Sequence, residues 1–230
     1  LGLPLAHYLV NKQTRVIGTT TSQSKLWLLE KCRIEAKLFK LSNNGIETDS
    51  LEDIFDTDIL IIIIPFKRSF KDPFIYLDMI NQLINTIQTF PIKRILFTSS
   101  TSLYNAENTP VSENSPIGTS DRAQALFKTE KALLNLPHCE TTIIRFSGLY
   151  GYTRRPGQFL KRFSTVPNPN HPINLIHLDD CISIMDKLID HPKSNIIVNA
   201  CCDEHPSKKD FYTWAANALK LPTPSFEDQD

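Results

Sequence analysis

The run Asp58-Ile59-Leu60-Ile61-Ile62-Ile63-Ile64-Pro65 constrains the fold of this chain more than any other stretch. Isoleucine is stiff at its first side-chain torsion and packs well on a pleated surface. A strand with one wet face alternates apolar and polar residues. A run without alternation predicts a parallel strand covered on both faces. It is far shorter than the roughly 20 apolar residues of a membrane span, and Pro65 gives it a natural stop.

The flanking segments supply the covers. Leu1–Val10 has helical apolar spacing, with Pro4 tolerable in the first turn. Arg15–Thr20 reads as a strand, Ser22–Lys31 as a helix, and Ile34–Leu41 as a weaker strand. Beyond the isoleucine run, Leu77–Thr89 repeats Ile80, Leu83, Ile84 and Ile87 on one helical face. Lys93–Ser99 predicts a strand, Thr119–Leu136 a helix capped by Thr119 or Ser120, and Thr141–Phe146 another strand. Alternating strands and helices imply βαβ units, whose right-handed crossovers build a doubly wound parallel sheet. After Gly148 the texture loosens. Gly151–Pro172 is rich in Pro, Arg and Asn, with a short helix expected near Gln158–Phe163. A helix at His177–His191, a strand at Ile196–Ala200 and a helix at Lys208–Leu219 follow.

Lys and Arg total 25, as do Asp and Glu, so the formal net charge is zero. That balance gives no electrostatic reason to expect nucleic acid or an anionic membrane as partner. Cys32, Cys139, Cys181, Cys201 and Cys202 form no CxxC pair. Reduced thiols in a cytoplasmic protein are expected rather than disulfides, and no metal site is expected.

Five segments, in this order, resemble the extended and atypical short-chain dehydrogenase/reductase family. They are Leu1-Gly2-Leu3-Pro4-Leu5-Ala6, Phe97-Thr98-Ser99-Ser100-Thr101-Ser102-Leu103-Tyr104, Ile144-Arg145-Phe146-Ser147-Gly148-Leu149-Tyr150-Gly151, Ile176-His177-Leu178-Asp179-Asp180, and Val198-Asn199-Ala200 through Asp203-Glu204-His205-Pro206. The resemblance spans nearly the whole chain. It implies an α/β, doubly wound parallel (Rossmann-like) sheet with a small C-terminal substrate lobe. Residues 1–150 would form the dinucleotide-binding domain and 151–230 the lobe and returning elements. The family's first strand would precede Gly2, which matches the last phosphate-loop glycine, so that strand is absent from the chain and residues are expected upstream.

The resemblance also implies a cofactor and a site. The second strand ends at Thr19-Thr20-Thr21-Ser22, where an NAD binder usually carries Asp or Glu for the ribose 2′-hydroxyl. With no carboxylate there, NADP is preferred over NAD; Thr21, Ser22, Ser24 or Lys25 could bond the 2′-phosphate. Read alone, the same hydroxyls serve equally as helix caps. Pro65 and Phe66, Ser99, and Gly148-Leu149-Tyr150 fall at cofactor-side positions. Ser100 takes the place of the catalytic serine. The Tyr-x-x-x-Lys pair should lie on the helix Thr119–Leu136, four residues ahead of the match at Glu130. Arg122 and Leu126 stand there instead. Arg122 cannot serve as a general acid near neutral pH, though it could hold an anion or cofactor. Asp78 is a candidate for the further active-site position. Tyr104, Arg154 and Arg155 are candidates for the substrate side; the arginine pair could equally be a solvated loop.

The functional expectation is an NAD(P)-dependent oxidoreductase or epimerase acting on a small carbonyl or sugar-nucleotide-like substrate, possible as a homodimer. The alternative is an NADP-binding or sensor protein that keeps the fold without turnover.

Overall fold

The computed structural model describes residues 1–67, 69–105, 109–158 and 165–228. Helix α1 (Gly2–Asn11) leads to β1 (Ile17–Thr20), a short helix α2 (Leu26–Lys31) and β2 (Glu35–Ser42). Strand β3 (Gly45–Thr48) folds back antiparallel on β2, with Ser42 facing Gly45. The two residues between them, Asn43-Asn44, lead into Gly45 at φ +134, a conformation that favours glycine. One turn of helix, α3 (Glu52–Phe55), precedes β4 (Ile59–Ile62), α4 (Phe74–Ile87), β5 (Arg94–Ser100), α5 (Asp121–Leu134) and β6 (Glu140–Phe146). Short strands β7 (Gly148–Tyr150), β8 (Thr165–Pro167) and β9 (Leu175–His177) follow. Helix α6 (Leu178–Asp190), β10 (Ile196–Ala200), α7 (Lys208–Ala218) and β11 (Ser225–Glu227) complete the chain.

The parallel core runs β10-β6-β5-β4, and a separate sheet runs β1-β2-β3. Alternate side chains of the core strands feed opposite layers. Ile95, Phe97 and Ile143 pack with Tyr76, Ile80, Leu83, Ile84 and Ile87 of α4 and with Ala123, Leu126 and Leu133 of α5. Leu96, Ile144 and Phe146 pack instead with Leu5 and Leu9 of α1 and with Leu178, Cys181, Ile182 and Met185 of α6. Helices thus cover both faces, the doubly wound arrangement expected of parallel strands. Although they follow residue 150, α6 and β10 return to this core, β10 pairing with β6. Strands β8 and β11 with α7 form a smaller cluster around Val166 and Ala216.

Between β1 and β4 the sheet is broken: among the described residues β1 pairs only with β2, and β4 only with β5. An apolar cavity of about 730 Å³ occupies the break, lined by Gly2, Leu5, Ile17, Thr19, Ile61 and Ile63 among others. It explains why Ile59, Leu60 and Ile61 are only half-buried despite their composition.

The predicted elements recur with shifts of a few residues. The helix expected over Ser22–Lys31 starts as a tight turn at Gln23–Lys25. The strand expected over Asp58–Pro65 pairs only at Ile59–Ile62. The hairpin strand β3 and helix α3 went unpredicted, although Asn44-Gly45 is a turn signal. The helix expected near Gln158–Phe163 lies, from residue 159 on, outside the described residues. No helix among the described residues is long and apolar enough to cross a membrane.

Candidate functional site

The phosphate-side residues gather at one mouth of the cavity. Gly2 opens α1, and a Cβ placed on it would lie 4.0 Å from Ile63 Cδ1, just past the end of β4. The residue before the helix, Leu1, offers no side-chain cap. The Gly2 and Leu3 amides therefore keep their donors, Pro4 having none, and the positive end of the helix dipole lies there. Thr19 and Thr20 also line the cavity. Thr20 Oγ1 accepts from the Ser22 amide at 3.3 Å, and the Ser22 and Ser24 hydroxyls bond at 2.9 Å. Thr21 and Lys25 are exposed beside them.

At the end of β5 the two serines have different surroundings. Ser99 is buried and donates to Glu130 Oε1 at 2.5 Å. Ser100, half-buried, accepts from the Ser102 amide at 3.1 Å and caps the turn that follows. Its own O–H stays available as a donor to a ligand oxygen. Tyr104 lies under this turn, accepting from Arg145 Nη1 at 2.6 Å and donating to Asn199 Oδ1 at 2.9 Å. Arg145 also grips Glu130, with Nη2 to Oε2 at 2.6 Å, both side chains 1% exposed. Burial opposes the Arg145 charge, but bonds to Glu130 and Tyr104 outweigh it and hold the guanidinium above its ordinary pKa.

Arg122 points to the β4 loop rather than to Ser100's turn. Nη2 donates to the Phe66 carbonyl at 2.7 Å and Nη1 to the Lys67 carbonyl at 3.3 Å. Its guanidinium carbon lies 4.0 Å from the Phe66 ring centroid, and that ring stacks on Tyr76. Four residues on, Leu126 is buried in the core beneath α5. Pro65 is exposed just before Phe66, and Asp78 is exposed on α4.

A third cluster lies past β6. Gly148, Leu149 and Tyr150 pair with Leu175, Ile176 and His177. A Cβ on Gly151, at φ +121, would come within 2.7 Å of His177 Nε2, so this turn needs its glycine. Tyr150 and Tyr152 meet the His177 ring edge-on, at 5.1 and 6.3 Å. His177 Nδ1 caps α6 by accepting from the Asp179 amide at 3.2 Å, and Tyr152 donates to Asp179 at 2.6 Å. Burial raises the Tyr150 phenol above its ordinary pKa, with Cys202 and Asp180 adding to it. Arg154 and Arg155 are exposed, and Arg154 pairs through its backbone with Gly151.

Three polar residues had not been singled out for a role. Arg145 stands inside the otherwise buried strand Thr141–Phe146, and a charge there is itself a signal for a partner. Asn199 interrupts the apolar β10 in the same way. Ser147, 4% exposed at the end of β6, has no hydrogen-bond partner for its hydroxyl among the described residues. A buried orphan hydroxyl at a strand end marks a place where a ligand or water belongs.

Parallel strands covered by helices on both faces, with a helix N-terminus and hydroxyl-rich turns at the carboxyl edge, make a doubly wound, Rossmann-like fold. Solved structures agree with that fold. A conserved protein of unknown function from Silicibacter pomeroyi matches with a TM-score of 0.76 at 22% identity, covering 98% of this chain and 77% of its own. UDP-glucuronic acid 4-epimerase from Bacillus cereus, in complex with NAD, matches with a TM-score of 0.74 at 18% identity, covering 99% and 83%. No protein-family model matches the chain. Protein YeeZ of Escherichia coli K12 is 33% identical over 230 residues, 99% of this chain and 84% of that protein. The chain belongs to the family of Protein YeeZ.

Proposed function

We propose that this protein binds a nicotinamide dinucleotide, NADP in preference to NAD, and acts as an atypical oxidoreductase or epimerase on a small carbonyl or sugar-nucleotide-like substrate. The observation that carries this reading is the uncapped N-terminus of α1, with Gly2 at the mouth of the break between β1 and β4. In a doubly wound sheet that is where a pyrophosphate binds. The UDP-sugar epimerase with a similar fold was solved with NAD, which supports the same ligand class.

The residues fit such a group at three places. The first-turn amides of α1 would hold phosphate. Thr20, Thr21, Ser22 and Lys25 would receive a 2′-phosphate, with no carboxylate to repel it. Pro65, Phe66, Gly148, Leu149, Tyr150 and the orphan hydroxyl of Ser147 would line the nicotinamide side. When bound, the nicotinamide supplies hydride transfer at a carbinol or carbonyl carbon. Ser100 orients the substrate oxygen through its free O–H. Residues 151–230 would bring the substrate, with Arg154 and Arg155 gripping an anionic group.

A second reading, dinucleotide binding without turnover, is favoured by the state of the proton donors. Tyr104 is locked between Arg145 and Asn199, Arg122 is engaged by backbone carbonyls, and Leu126 carries no charge. The test titrates NADPH and NADH into the protein with a carbonyl and UDP-sugar panel, following binding and oxidation separately. Oxidation that falls at least about tenfold in Ser100→Ala supports the enzyme. Binding without oxidation selects the second reading, and binding of neither dinucleotide ends both.

A further inference from the structure

The loop after β4 is held more firmly than a plain connection needs. Strand β4 leaves its ladder with β5 at Ile62, and Pro65 and Lys67 beyond it are exposed. Exposed connections are usually the mobile part of a domain. Here successive residues are pinned from the side of α4 and α5. The Tyr76 hydroxyl donates to the Ile64 carbonyl at 2.9 Å, and burial raises its pKa, so the phenol keeps its proton. Pro65 fixes its own φ and restricts Ile64 before it. The Phe66 ring stacks on Tyr76, with centroids 4.6 Å apart and planes 14° apart. Arg122 lies over that ring at 4.0 Å and spreads its fork across two consecutive carbonyls, those of Phe66 and Lys67. The Phe70 amide donates to the Lys67 carbonyl as well. Arg122 is itself fixed in the first turn of α5. Ser120 caps that turn at the Ala123 amide, and Gln124 Nε2 donates to the Gly118 carbonyl at 2.8 Å.

The grip has a direction. The peptide joining Phe66 to Lys67 is trans, so its N–H points opposite to its carbonyl. With the Phe66 carbonyl turned to Arg122, the Lys67 amide is turned away from α5. It donates to no group among the described residues. We propose that Arg122 is a positioning residue, which holds Ile64–Lys67 in one arrangement and thereby presents the Lys67 amide to an oxygen of the bound dinucleotide. This role rests on the dinucleotide binding proposed above. It gives a task to the residue that stands where a proton donor was expected. The task needs arginine. A planar fork can bond two carbonyls while lying flat on a ring, and an ammonium, a point charge on a flexible stem, cannot.

The test compares the parent with Arg122→Lys, which keeps the charge, and Arg122→Met, which keeps an apolar stem over the ring. NMR relaxation gives the order parameters of the Phe66 and Lys67 amides, titration gives the Kd for NADPH, and thermal unfolding gives Tm. In the parent both amides should be as rigid as the sheet, with S² about 0.85, and in both variants S² should fall below about 0.6. Both variants should bind NADPH at least about tenfold more weakly, with Tm within about 5 °C of the parent. Unchanged order parameters in Arg122→Met overturn the clamp. A mobile loop with undiminished NADPH affinity overturns its link to the ligand, whatever happens to Tm. Parent-like binding by Arg122→Lys overturns the proposal too, because charge alone would then suffice. A parent that binds neither NADPH nor NADH ends the dinucleotide reading and the amide's role with it, while the order parameters still decide the clamp.

Discussion

At the carboxyl ends of β5 and β6 a full ion pair is buried, and every group in it is bonded: Glu130 to Arg145 and Ser99, Arg145 to Tyr104, Tyr104 to Asn199. One layer away, between β1 and β4, the lining is apolar and the strand edges lack partners. The first region shows how a protein keeps charge in its interior, by surrounding it with fixed donors and acceptors. The second shows that apolar composition alone does not bring two strand edges together, for β1 and β4 stay unpaired with each other. Ile95, near the start of β5, is fully buried, whereas Ile61, in the more apolar strand β4, is not.

The sharpest way to break this contrast is to strip the charged region of one partner. Glu130→Ala leaves Arg145 buried and uncompensated, and unfolding in urea should show a loss of about 3–5 kcal/mol. Glu130→Leu with Arg145→Met, which removes both charges, should recover much of it. A single variant within about 1 kcal/mol of the parent would mean that water reaches the pair.

A smaller effect separates the two strands. Ile95→Ala should cost about 2–5 kcal/mol, the usual range for a buried isoleucine. Ile61→Ala, beside the cavity, should cost about 1 kcal/mol. Equal costs would erase the distinction between a closed and an open edge.

These two regions also differ in how far they could be read from sequence. The run Ile59–Ile64 announced a strand covered on both sides, and the order of elements announced the sheet, because periodicity and β-branching act locally. Gly2 was legible as a helix-start glycine because its neighbours fix its place. The Arg145 network was not legible, because its members come from four separate stretches and meet only through the fold. Glu130 had been used to align α5, with no hint that its partner was an arginine on β6. The direction of Arg122, toward the Phe66 and Lys67 carbonyls, likewise depends on where the β4 loop passes α5. Strands β7, β8 and β9 were missed, and Gly151–Pro172 was read as loops with a short helix, since these strands are three residues each and leave almost no pattern.

The mildest probe is pH, and it reaches the α1–α6 side of the sheet through Cys181. This thiol is buried between α6 and α1, and burial pushes its pKa up to about 12 from an ordinary 9.0. The unfolded chain therefore releases the proton first. Above pH 9 the unfolded state holds fewer protons than the folded one, so stability falls as pH rises toward 12. Each unit costs at most about 1.4 kcal/mol for this one group. Tyrosines and lysines titrate in the same range, so the measurement compares urea unfolding of the parent and Cys181→Ala between pH 8.5 and 10.5. The variant should lose stability less steeply, whatever its starting value. Equal slopes in the two proteins would mean that Cys181 contributes nothing to the loss of stability at high pH, and the thiol would then have to be open to solvent in the α1–α6 layer.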